Sequence, residues 1–183
     1  MAIAIDGDGT ITGVSVGGLP DGIVDTDMIA ANAVTSAKKG ADSIIQIVDV
    51  TYSTQTGTTS SSYVDSGLTL NITPSSGTKV LVIVSLGAYS YRNSHDSTRG
   101  YFNIMRDSTQ IHEWTHGIDA DTDDSSVNAQ TWTAVSRMKL DTHGADGSTA
   151  VTYKVQMKKD EGTGIYSQWN NLPSTMILME VRS

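Results

Sequence analysis

From Ser43 onward the chain is a succession of short β-branched runs, each closed by a polar turn, and this pattern limits the fold more than any other feature. IIQIVDVTYS (Ile44–Ser53) is β-branched with partial alternation, and LTLNI (Leu68–Ile72) alternates and stops at Pro74. KVLVIVSLGAYSY (Lys79–Tyr91) is a long apolar run of the kind buried on both faces. GYFNIMRD (Gly100–Asp107), TWTAVSRMKL (Thr131–Leu140) and TAVTYKVQMKK (Thr149–Lys159) alternate again, and TMILMEV (Thr175–Val181) completes the series. PSSG, RDST, HGADG and DEGTG separate them as turns, and no stretch after residue 43 has a helical period. Seven or more such strands mean a sandwich, jelly roll or barrel. The fold expected is all-β, an antiparallel β-sandwich head of jelly-roll type over residues 44–183.

Residues 1–43 differ in kind. They are rich in Gly, Ala, Asp and Thr and hold no aromatic residue. GIVDTDMIAA (Gly22–Ala31) is echoed by NAVTSAKKGA (Asn32–Ala41), matching Val24 with Val34, Thr26 with Ser36 and Ala31 with Ala41. One copy of so sparse a repeat buries too little to order itself, so it takes its shape from identical copies or from a docking partner. Ile23, Val24, Met28, Ile29 and Val34 are the residues expected to dock. A short helix within Met28–Lys38, ended by Gly40, is a further option.

Charge excludes some partners. The formal net charge is −8, with 12 basic residues against 20 acidic ones. Nonspecific nucleic-acid binding draws on clustered Lys and Arg, so no nucleic acid is expected, and anionic membranes are disfavoured. The longest apolar run, Val80–Val84, is far short of a membrane span, so no membrane insertion is expected. The opening MAIAIDGDGT has no basic stretch, and Asp6 and Asp8 interrupt it, which argues against a secretory leader. The chain has no Cys, hence no disulfide framework, thiolate nucleophile or thiolate ligand.

One motif suggests chemistry. HEWTH (His112–His116) fits the H-E-x-x-H pattern of zinc peptidases, in which a helix sets both imidazoles on one metal and the Glu beside its water. The surroundings oppose a helix, because Thr109, Ile111, Thr115 and Ile118 are β-branched and Gly117 follows the second His. YFNIMRDSTQIHEW reads as a hairpin turning at RDST, with HEWTHG as a polar strand end and loop. On a strand His112 and His116 lie about 13 Å apart at roughly 3.3 Å per residue, beyond the reach of one zinc. His143, Glu161 and His95 are third ligands only by elimination. A zinc peptidase acting through His112, Glu113 and His116 is thus a minor alternative; the reading is of no enzyme, no metal and no cofactor. Asp119, Asp121, Asp123 and Asp124 could form an oxygen-rich calcium loop, but they lack the central Gly and terminal Glu of an EF-hand loop, and a solvated acidic loop accounts for them. No G-x-S-x-G elbow or phosphate-cradling loop occurs.

Aromatic residues in the polar loops expected between strands offer another kind of site. Tyr91 with Arg92 lies in SYRNSHDSTRG, Trp114 in HEWTHG, and Tyr166 with Trp169 in GIYSQWNN. Rings beside hydrogen-bonding groups suit sugars or protein surfaces, and core or subunit packing is the plainer use of each one singly.

Three stretches also carry a resemblance. VSVGGLPDGIVDTDMIAANAVTSAKKG resembles the amino-terminal region of phage tail-fibre and related virion proteins. TYSTQTGTTSSSYVDSGLTLNITPSSGTKVLVIVS resembles the β-domain that follows in such proteins, and STMILMEV its last strand. Residues 88–172 have no close match. The resemblance implies a bacteriophage virion component, a tail fibre or similar appendage, forming a homotrimer. The amino-terminal segment would attach to other virion proteins, a tail adaptor or the capsid. The head would offer Tyr91, Arg92, Trp114, Tyr166 and Trp169 to a host-surface glycan or protein. A capsid decoration protein, whose arm clamps shell subunits, is the alternative within the same class.

Overall fold

The computed structural model describes residues 4–5, 11–12, 34, 38, 40, 43–92, 97–121 and 128–182. The chain divides into two compact units, Met1–Lys39 and Gly40–Ser183. In the first, β1 (Ala4–Ile5) pairs antiparallel with β2 (Ile11–Thr12). Of the docking residues, Ile23, Val24, Met28 and Ile29 lie outside the described residues, as does most of the Met28–Lys38 stretch; Val34 is exposed.

The second unit is built from strands, as its alternating sequence requires. They are β3 (Ile44–Tyr52), β4 (Thr56–Thr58), β5 (Val64–Ile72), β6 (Thr78–Arg92), β7 (Ser97–Arg106), β8 (Thr109–Asp121), β9 (Ala129–Asp141), β10 (Val151–Glu161), β11 (Gly164–Ser167) and β12 (Ser174–Arg182). One sheet has the order β5-β10-β7-β8. In the other, β6 is central: β9 runs along one of its edges, while β12 and then β11 share the opposite edge, backed by β3 and β4 respectively. Leaving aside the short β4 and β11, the eight long strands stand first-eighth-third-sixth in one sheet and second-seventh-fourth-fifth in the other. That order, antiparallel throughout, is a jelly roll, two sheets wound as nested Greek keys.

Alternation decides what fills the space between the sheets. Val80, Val82, Val84 and Leu86 of β6 face Tyr153, Val155 and Met157 of β10 across the core, with Phe102, Ile104, Met176 and Leu178 around them, all at 0% exposure. The β7–β8 turn closes at Asp107 with φ 50°, a left-handed conformation that Asp tolerates better than most residues.

Three expectations change. HEWTHG is the middle of a full 13-residue strand, β8, and no loop begins there. Its polar residues fit a strand because the outward side of this sheet is polar, and Gly117 does not break it. Instead the Phe102 and Trp114 rings occupy the place a side chain would take, 2.6–2.8 Å from where a Cβ would stand. The pair β4 and β11 was not legible in the sequence. Finally, the first half of β6 is buried on one face only: Leu81 and Ile83 are half-buried on the outward side and Ser85 is exposed, while Tyr89 further along is buried there under other rings.

Candidate functional site

The carboxyl-terminal half of β6 carries a cluster of rings on the outward face of the large sheet. Register assembles it: Tyr89 stands opposite Tyr166 of β11 on one side and Trp132 of β9 on the other. Two residues along, Tyr91 stacks on Tyr89 at 5.9 Å between ring centroids and on Tyr166 at 6.0 Å. Tyr89 lies 5.2 Å from Trp132. Trp169 comes from the 3-10 turn Trp169–Asn171 and stacks on Tyr89 at 4.0 Å, meeting Tyr166 edge-on at 4.9 Å.

Local backbone explains how Trp169 reaches this position. Gln168, Asn170 and Asn171 all have φ between 50° and 58°. Non-glycine residues held there cost of order 1–3 kcal/mol each, and such residues concentrate at functional sites. The turn is tied down at both ends: the Gln168 N–H donates to the Gly87 carbonyl at 2.8 Å, and the Asn170 N–H donates to Gln55 Oε1 at 2.9 Å. Tyr166 has its own seat. Its ring lies against Gly57 of β4, where a Cβ would stand 2.4 Å from ring carbon Cε1.

Beside the rings is a shallow cleft of about 470 Å³. Gly87 and Ala134, partners across β6 and β9, form its floor, because a hydrogen and a methyl group leave it unfilled. Trp132 and Trp169 flank it, Leu172 and Pro173 rim it, and Ser85 adds a hydroxyl. Trp132 is 61% exposed, so one of its faces is open to a ligand. Burial, then neighbouring Tyr91, raises the pKa of Tyr89 and of Tyr166 above the ordinary 10.0, so both phenols are neutral at physiological pH. The site is uncharged, apolar and edged with hydroxyls, the makeup of a stacking platform.

Of the residues singled out from sequence, Tyr91, Tyr166 and Trp169 come together here; Tyr91 and Tyr166 stand on strands and not on the loops expected for them, because register on β6 and β11 continues through them, while Trp169 is in the turn. Arg92 ends β6, and its side chain lies outside the described residues. Trp114 does not belong: it is 4% exposed in the core, stacked on Phe102 at 5.8 Å. Sequence reasoning missed Tyr89, inside the long apolar run, and Trp132, inside an alternating one; the signal was their place on the outward parity.

The HEWTH segment cannot act as a helical zinc motif, since it is strand. His112 is half-buried, its ring 5.8 Å from Trp114, and burial followed by the nearby charges of Lys139 and Arg137 lowers its pKa. Glu113 projects to the opposite side, where the Tyr63 hydroxyl donates to it at 2.5 Å. The side chain of His116 lies outside the described residues, as does His95. His143 is buried, its Nδ1 accepting from the Ala145 N–H at 2.9 Å, and Glu161 lies 3.5 Å from Arg99. In the acidic stretch Asp119 pairs with Arg99 at 3.3 Å, and Asp123 and Asp124 are outside the described residues. Among the described residues no group of three or more His, Cys, Asp or Glu could hold a metal ion.

No protein-family model and no curated protein matches this sequence. Solved structures are similar at a low level. The VP2 subviral particle of infectious bursal disease virus aligns at 9% identity and a TM-score of 0.41, over 75% of this chain and 32% of that one. T=1 particles derived from the same virus align at 13% identity and a TM-score of 0.35, over 75% and 36% respectively. The chain thus spans about a third of the length of these structures. Likeness this slight carries no inference for this chain, and the jelly roll rests on its own strand order.

Proposed function

We propose that this chain is a non-enzymatic virion component, a tail-fibre or appendage protein whose head binds a host-surface glycan in the Trp132–Trp169 cleft. The amino-terminal segment attaches it to other virion proteins, and several copies, a trimer in the arrangement its resemblance implies, act together. The observation that carries the reading is the cleft. A pyranose ring presents a C–H face that stacks on an indole, while its hydroxyls find a partner such as Ser85. Single contacts of this kind are weak, and display in several copies multiplies them.

The test is a glycan array probed with the full chain, followed by titration of any hit. Trp169→Ala and Trp132→Ala should each weaken binding about tenfold or more, while Trp114→Phe, at a core position, should not alter it. An array without hits, or hits indifferent to both cleft substitutions, would refute the glycan reading. Gold-labelled protein on particles tests the location: label at the tail supports an appendage, and label on the shell would replace it with capsid decoration.

A further inference from the structure

We propose that a second copy of this chain covers the aliphatic half of the large sheet's outward face. Antiparallel register lines up Leu140, Leu81, Met179 and Ile47 in one row across β9, β6, β12 and β3. The next row holds Met138, Ile83 and Ile177 and ends at Asp49. Met138 is 67% exposed, Ile47 55% and Leu140 49%; Ile44, opposite Val181 beyond the first row, is 44% exposed.

The other sheet shows what a finished outward face looks like in this protein. There Asp65 accepts from Gln156 Nε2 at 2.7 Å and pairs with Lys154 at 2.9 Å, and the Tyr101 hydroxyl donates to Asp160 at 3.1 Å. One face is cross-linked polar surface suited to water, and the other is aliphatic. With roughly 200 Å² for a fully exposed large apolar residue, the aliphatic rows expose on the order of 600 Å² once their half-buried members are included. That equals the largest patches normally left on a monomer, about 300–600 Å², and two such faces supply about 1,200 Å², the lower limit of a stable interface.

Charge favours a copy of the same chain. The whole chain is at −8, yet the outward positions of this patch carry one acid, Asp49, and one base, Lys79. Two such patches meet without net repulsion, and each offers an opposite charge to the other. β9 adds an edge: among the described residues no strand pairs with its far side, so its outer rows continue to an open margin. The inference rests on the multi-copy part of the proposed function and gives it a surface. It is independent of the glycan part, because Trp132 lies six residues along β9 from Met138.

Sedimentation velocity of the full chain tests it, at about 1 to 100 µM, the range in which micromolar association is read directly. The full chain should sediment as a multiple of 19.4 kDa. Met138→Lys with Ile47→Lys should weaken association by about 30-fold or more, as central interface substitutions do, leaving a single-copy species with an unchanged strand signal in circular dichroism. Because the chain has no Cys, Met138→Cys supplies a single thiol without altering charge. A short bis-maleimide should join two copies of that variant, and should not join copies of Asn71→Cys on the polar face. A full chain that stays single at the highest concentration would overturn both this inference and the multi-copy reading. Unchanged mass in the lysine variant, or equal cross-linking at both thiols, would overturn this inference alone and assign assembly to residues 1–43. Sugar titration of the same variants reports the cleft separately.

Discussion

Glu180 offers the sharpest test of how the head is held together. The inward face of β12 runs Ser174, Met176, Leu178, Glu180, and each is fully buried. A carboxylate in such a series is tolerable only if its oxygens are satisfied. Gln46 Nε2 donates to it at 2.6 Å, the Ser75 N–H at 2.8 Å and the Thr78 hydroxyl at 2.9 Å. These donors come from β3, from the β5–β6 turn and from β6, so one side chain ties three segments at the end of the sandwich. A hydrogen bond to a charged acceptor contributes about 1.5–3 kcal/mol net. Glu180→Gln keeps one acceptor oxygen but sets an amide against the Gln46 amide, for an expected loss of about 2 kcal/mol. For a chain of this size that lowers Tm by about 4–8 °C. Glu180→Ala strands all three donors and should cost about 3–5 kcal/mol.

The pH dependence follows from the same contacts. Burial alone would raise the Glu180 pKa, but the donors from Gln46, Ser75 and Thr78 outweigh it and hold the folded value below the ordinary 4.5. Between the two values the unfolded chain binds the extra proton, so stability rises with pH there. The contribution is therefore complete above about pH 4.5 and is lost as pH falls through the folded value. Urea denaturation of wild type and Glu180→Gln at several pH values reads this directly. The gap between them should be about 2 kcal/mol at neutral pH and should narrow in acid. A gap below about 0.5 kcal/mol at neutral pH, or one that stays constant into acid, would refute the argument.

Three further outcomes are expected. Gly117→Val drives a branched side chain into the Phe102 and Trp114 rings, 2.6–2.8 Å from the Cβ position, and should destabilise by about 2–3 kcal/mol in urea melts, with loss of the near-ultraviolet indole signal. Tyr153→Phe removes the buried hydroxyl that donates to Asp141 at 2.8 Å, beside the Arg106–Asp141 pair at 2.9 Å, and should cost about 1.5–3 kcal/mol by the same assay. Elemental analysis after zinc loading and dialysis should find less than one zinc per chain, with the same content in His112→Ala; stoichiometric zinc lost on that substitution would contradict the strand geometry of β8.

Much of the jelly roll could be read from residue order because each core strand must place an apolar residue at every second position. Ile44–Tyr52, Thr78–Arg92 and Ser174–Arg182 follow that rule closely, and the turns before β6, β8 and β11 carry Gly or Asp where the backbone turns left-handed, at Gly77, Asp107 and Gly162. The hairpin into β8 was legible, but the strand's full length escaped because its outward residues are polar and Gly117 looks like a terminator, when the ring of Trp114, on the same strand, fills its place. β4 and β11 escaped because three or four residues such as TGT and GIYS are too short to show a period. At the site, polar context picked out Tyr91, Tyr166 and Trp169, which the structure brings together, yet the same context pulled in Trp114. Telling them apart requires parity: Trp114 stands opposite Phe102 on the inward side, while Trp132 stands opposite Tyr89 on the outward side. Parity across strands depends on register, and register is set by long-range pairing that a single strand does not encode.

The reading of β6 as buried on both faces is the most instructive difference. Val80 through Val84 are apolar at every position, which in a sheet requires cover above and below. The fold supplies one cover, the β5-β10-β7-β8 sheet, and the inward valines reach 0% exposure beneath it. Leu81 and Ile83 on the other side stay half-buried, in line with the exposed Met138 and Ile47. A strand designed for a one-sided sheet would alternate with polar residues there, as β10 does with Thr152, Lys154, Gln156 and Lys158. The unbroken apolar run is therefore not a failure of periodicity as a guide. It records a requirement that the described residues of one chain do not meet, and the proposed second copy would supply that cover on the same rows that the exposed residues mark.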